Sequence, residues 1–66
     1  MEIVANGEST TVPDGATVLE LLAHLGLDPA RVAVELDRRI VKQAEWATTP
    51  LQEGACLEIV QFVGGG

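Results

Sequence analysis

Only one stretch of this chain carries helical periodicity, and it is too short to stand by itself. Val18, Leu21, Leu22 and Leu25 recur at i, i+3, i+4 and i+7, the stripe of one helix face. Thr17, with Glu20 three residues on, is a capping box and predicts Thr17 as the N-cap. Gly26 supplies a left-handed residue to end the helix, and Leu27 is placed to fold back on Leu22. The helix so bounded, 18–25, makes about two turns, and isolated helices shorter than ~12 residues are marginal in water. It must lie on something, and the rest of the chain reads as strands.

The first strand runs over 2–5 and the second over 9–12, rich in β-branched residues. Asn6-Gly7 between them predicts a two-residue hairpin turn. That turn sets Ala5 opposite Glu8, Ile3 opposite Thr10 and Met1 opposite Val12, so Met1, Ile3 and Val12 define the buried side. Pro13-Asp14-Gly15 closes the second strand. Beyond the helix, Val32, Val34 and Leu36 alternate with Ala33 and Glu35. Asp37-Arg38-Arg39 is a polar turn, and Ile40-Val41 begins a short return strand. Residues 42–51 have no clear period; Glu45-Trp46 is read as one helical turn, and Pro50 ends it. After a turn at Glu53-Gly54, the last strand spans 57–62. Leu57 and Ile59 take one face; Glu58, Val60 and Phe62 take the other. The order β-β-α-β-β-β is an α+β architecture, one helix over a mixed sheet.

Composition narrows what can hold such a fold together. The chain has 66 residues, one cysteine and one histidine, so it offers neither an internal disulfide nor a zinc cluster. Packing alone must suffice. Hydrophobic residues make up 47%, yet the longest apolar run is three residues, far short of the ~20 of a membrane span. No basic residue and no long apolar segment marks the N-terminus as a secretory signal, and a cytoplasmic setting is expected. Net charge is −6, but all four bases lie between Arg31 and Lys42. That window sums to +2 and the remainder to −8. An acidic body argues against nucleic acid or an anionic membrane as partner. It suits a basic protein surface, although such charge also serves plain solubility.

The candidate site is the end of the sequence, Val63-Gly64-Gly65-Gly66. Three glycines add nothing to a core and are costly to order. Read as function, they form a thread that passes through a narrow channel behind an unhindered carboxylate; read as structure, they are a frayed end. A carboxylate is a poor electrophile and needs activation, for example as an acyl-adenylate, before a nucleophile attacks it. Val60 and Phe62, on the face turned away from Leu57 and Ile59, are expected to anchor a partner beside the tail. Cys56 is read as a small hydrophobe at the start of a strand, since no histidine or base near it in sequence would activate a thiolate. Trp46 is read as a core lid, His24 as a solvated helix residue, and Arg38, Arg39 and Lys42 as a solvated turn. No pair of side chains resembles an acid–base or nucleophile–base arrangement, and no metal site is expected.

The residues Asn6-Gly7, the run from Gly15 to Leu22, Glu45-Trp46, and above all the ending from Glu58 to Gly66 resemble the sulfur carriers of the ThiS/MoaD family. The helix start marks the superfamily; the short length, the Glu-Trp element and the Phe-Val-Gly-Gly-Gly ending favour the thiamine branch. The resemblance implies a ubiquitin-like β-grasp with the C-terminal strand in the middle of the sheet, parallel to the first. It implies a domain over 1–63, a Gly-rich tail over 64–66, and a carrier rather than an enzyme. A ThiF-like adenylating enzyme would use ATP and magnesium to adenylate Gly66. Sulfur of cysteine-desulfurase origin would convert the adenylate to a thiocarboxylate, and a ThiG-like thiazole synthase would accept that sulfur. The family Gly-Gly carries over onto Gly65 and Gly66, with Gly64 as a further threading residue. Carriers for molybdopterin synthesis or another sulfur pathway, ubiquitin-like modifiers and plain β-grasp interaction modules resemble the chain as well.

Overall fold

The computed structural model describes residues 1–62. Five strands and one helix follow in the order β1 (Glu2–Ala5), β2 (Glu8–Thr11), α1 (Val18–His24), β3 (Val32–Leu36), β4 (Arg39–Val41) and β5 (Cys56–Gln61). Two 3₁₀ segments, Pro29–Arg31 and Gln43–Thr48, lie between them. The strands form one mixed sheet in the order β2-β1-β5-β3-β4. β5 is central, parallel to β1 and antiparallel to β3. This is the ubiquitin-like β-grasp that the resemblance implies. The expected division into a 1–63 domain and a 64–66 tail falls at residues outside those described.

The β1–β2 hairpin has the register that its turn dictates, with Ile3 opposite Thr10 and Ala5 opposite Glu8. Asn6 and Gly7 both take positive φ, 50° and 80°, as a type I′ turn requires. Ile3 and Val12 are buried, as expected. The helix starts where the capping box places it. The Thr17 hydroxyl accepts from the Glu20 N–H at 3.2 Å, and the Glu20 carboxylate accepts from the Thr17 N–H at 2.8 Å. It ends one residue early: His24 is the last helical residue and Leu25 the C-cap. Gly26 follows at φ +72°, its N–H donating to Ala23 O and that of Leu27 to Leu22 O. This pair of bonds is a Schellman motif. Leu25 therefore leaves the buried stripe and stands 38% exposed.

Val18, Leu21 and Leu22 pack with Ile3, Val34 and Leu57 in the core beneath the helix. Burying one such side chain contributes roughly 1.5–3 kcal/mol. Trp46 caps this core, 3% exposed, and its indole N–H donates to Val41 O at 2.8 Å. The stretch just after the 3₁₀ segment that carries it is tied to the helix start: Val18 N–H donates to Thr49 O and Leu51 N–H to Ala16 O.

Candidate functional site

β5 positions the site because it runs through the middle of the sheet and leads toward the C-terminal glycines. Its alternation is as expected. Leu57 and Ile59 face the core, while Glu58 and Val60 face solvent. Val60 and Phe62 are 57% and 56% exposed. The Phe62 N–H donates to Arg31 O at 2.7 Å, so the strand's end is held on its β3 side. Gly64, Gly65 and Gly66 lie outside the described residues.

The structure brings to this outer face residues that sequence reasoning left apart. Val60 lies opposite Ala33, and Glu35 lies opposite both Glu58 on β5 and Ile40 on β4. Ile40 is 79% exposed. Ala33, Val34, Glu35, Ile40, Glu58 and Val60 line a shallow hollow of about 120 Å³. The face therefore carries apolar side chains next to two carboxylates set directly across a strand pair. Like charges in that position destabilise the free protein.

The turn that sets this register was hidden in the sequence. It comprises Asp37 and Arg38, at φ 49° and 71°, with Leu36 paired to Arg39. A two-residue turn puts Ile40 on the face of Glu35, which a three-residue polar turn would not show. Asp37 is held by β5: its carboxylate accepts from the Cys56 N–H at 3.0 Å, and its own N–H donates to Cys56 O at 2.8 Å.

Cys56 corrects one expectation. It opens β5 but points to solvent and is not a packed hydrophobe. The parity of β5 decides this, since Ala55 and Leu57 take the core side. Glu35, Asp37, Arg38 and Glu58 surround it. Arg38, Arg39, Lys42 and His24 are exposed as expected. Among the described residues no group of histidine, cysteine, aspartate and glutamate could hold a metal ion, and no helix is long and apolar enough to cross a membrane.

One carboxylate is tuned by its neighbours. Hydrogen bonds from the Ser9 and Thr11 hydroxyls hold the Glu2 carboxyl below its ordinary range. This group lies on the β1–β2 hairpin, away from Val60 and Phe62.

The model of the ThiS family matches residues 1–66. The chain is 32% identical to the sulfur carrier protein ThiS of Escherichia coli, and the match covers all of both chains. It is 42% identical to a thiazole synthase of Paramagnetospirillum magneticum, where it spans 20% of the longer protein's length. The crystal structure of the thiamine biosynthesis protein ThiS from Geobacter metallireducens superposes with a TM-score of 0.85 at 30% identity, covering all of both chains.

Proposed function

Since the chain belongs to the ThiS family, as a sulfur carrier of thiamine biosynthesis, we propose that it carries its sulfur as a thiocarboxylate on Gly66. A ThiF-like partner uses ATP and magnesium: a carboxylate oxygen of Gly66 attacks the α-phosphorus, and pyrophosphate leaves. The acyl-adenylate is a good electrophile. The terminal sulfur of a persulfide, supplied through a cysteine desulfurase, attacks its carbonyl carbon and AMP leaves. A thiol then cleaves the resulting S–S bond, becoming a disulfide and releasing the thiocarboxylate. Thiazole synthase accepts that sulfur, and the carboxylate is regenerated. The chain is a cosubstrate throughout, and its own part is to present the tail.

The end-to-end match to the E. coli carrier is the observation that carries this reading. The likeness to part of a thiazole synthase supports the choice of acceptor. A carrier segment within the enzyme's own chain would meet its acceptor at high effective concentration. Val60 and Phe62, with Ile40 near Val60, offer the apolar docking surface. Gly64 and Gly65 thread the tail into a channel too narrow for a Cβ. The test is intact-mass measurement after incubation with the adenylating enzyme, ATP, magnesium and the sulfur donor. The expected product has one sulfur in place of one oxygen at Gly66. An unchanged mass, or a sulfur mapped to Cys56, refutes the reading.

A further inference from the structure

Asn6 does two things at once, and the hairpin explains only one of them. Its positive φ suits the β1–β2 turn, a conformation that asparagine tolerates. Its side chain then reaches away from the hairpin to the central strand. Nδ2 donates to Ile59 O at 3.0 Å, and Oδ1 accepts from the Ile59 N–H at 2.7 Å. Both bonds agree with one orientation of the amide, and together they mimic a peptide group. The backbone of β1 pairs with β5 only at Val4–Cys56 and Ala5–Leu57. Val4 N–H donates to Ala55 O and Asn6 N–H to Leu57 O, each at 2.8 Å. The Asn6 amide takes the next carbonyl in that series, Ile59, where the backbone of β1 has already turned away. β5 is thereby gripped on its β1 side two residues further than backbone pairing reaches. On its β3 side it is held as far as Phe62.

We infer that Asn6 is a positioning residue for the carrier reaction: its side chain clamps Ile59 and fixes the direction in which β5 delivers the C-terminal residues to the adenylating site. The inference rests on the thiocarboxylate route proposed above. Asn6 touches no reacting atom. It acts through β5: without it the strand keeps its β3 pairing as far as Phe62, so the docking face at Val60, Phe62 and Ile40 stays in place, but it loses its support on the β1 side and its direction is less fixed. Misplacement of this kind lowers the rate from the bound complex more than it lowers binding.

Two variants separate the clamp from the turn. Asn6→Gly keeps the positive φ and loses both bonds to Ile59; Asn6→Asp keeps an acceptor for the Ile59 N–H and loses the donor. Each is taken through a melting curve, amide hydrogen exchange at Ile59, and saturation kinetics of thiocarboxylate formation with the adenylating enzyme, ATP and a persulfide donor. For Asn6→Gly, kcat is expected to fall by roughly tenfold or more with KM for the carrier little changed. Exchange at Ile59 should quicken, and Asn6→Asp should lie between Asn6→Gly and wild type. A variant that melts lower but keeps the wild-type kcat overturns the positioning role and leaves a structural one. Unchanged exchange at Ile59 in Asn6→Gly overturns the clamp itself. If wild type takes no sulfur, the thiocarboxylate route fails, and the exchange result still decides whether the clamp exists.

Discussion

Single side chains in this protein often serve a second strand besides their own. Asn6 grips β5, and Asp37 holds the start of the same strand through the Cys56 N–H. Glu2 gathers the hydroxyls of Ser9 and Thr11 across the hairpin, while the Glu53 carboxylate accepts from the Glu2 N–H at 3.2 Å. Hydrogen bonds to the ionised form favour it, so the native Glu2 carboxyl titrates below its unfolded value. A group lowered in this way stabilises the fold above its unfolded pKa. It gives that contribution up as pH falls through the native pKa, on the acid side of the ordinary glutamate range. An NMR titration should show Glu2 titrating below the usual glutamate range. Ser9→Ala should move it upward, because the Ser9 bond is the largest cause. A Glu2 titration that Ser9→Ala leaves in place would contradict this account.

At the scale of elements, legibility followed turn chemistry. Asn6-Gly7 set the first hairpin's register residue by residue, and the capping box set the helix start. The Asp37-Arg38 turn has positive φ at two non-glycine residues, so no glycine advertises it. Its register, and with it the position of Ile40, could not be read. The 3₁₀ segment Gln43–Thr48 buries Trp46 alone, too little to make a periodic pattern. Within the site, the alternation of β5 revealed the exposure of Val60 and Phe62. The reach of Asn6 stayed hidden because its place in a turn already accounted for it. The two faces of β5 should respond oppositely to truncation. Leu57→Ala removes a side chain that is 1% exposed and should cost about 2–5 kcal/mol of stability. Phe62→Ala should leave the melting curve within ~0.5 kcal/mol and weaken binding to the adenylating enzyme or thiazole synthase by ~2 kcal/mol. Denaturant melts and binding titrations on both variants check this. A Phe62→Ala protein that melts early and binds normally would remove Phe62 from the docking surface.

Over the whole molecule, an acidic body carries a sheet face on which two carboxylates meet apolar side chains. The body outside residues 31–42 carries −8, and Glu35 and Glu58 stand opposite each other beside Val60 and Ile40. The free protein bears the repulsion of that pair, and a partner that sets a lysine or arginine against it would relieve it. The proposed docking thus has a long-range part, in which the acidic body steers a basic surface, and a short-range part, in which the apolar side chains are covered. The two parts separate in one double variant. Glu35→Gln with Glu58→Gln removes the repulsion and should stabilise the isolated protein by about 0.2–1 kcal/mol. The same change should slow association with the adenylating enzyme and flatten the dependence of the association rate on ionic strength, since screening acts on the charges removed. The dissociation rate should change less where these carboxylates sit at the rim of the contact. Stopped-flow association across a salt series, beside a denaturant melt, measures both effects. A double variant that is no more stable would show that this pair of carboxylates does not burden the free fold, and one that associates as fast and as salt-dependently as wild type would show that it does not guide the partner.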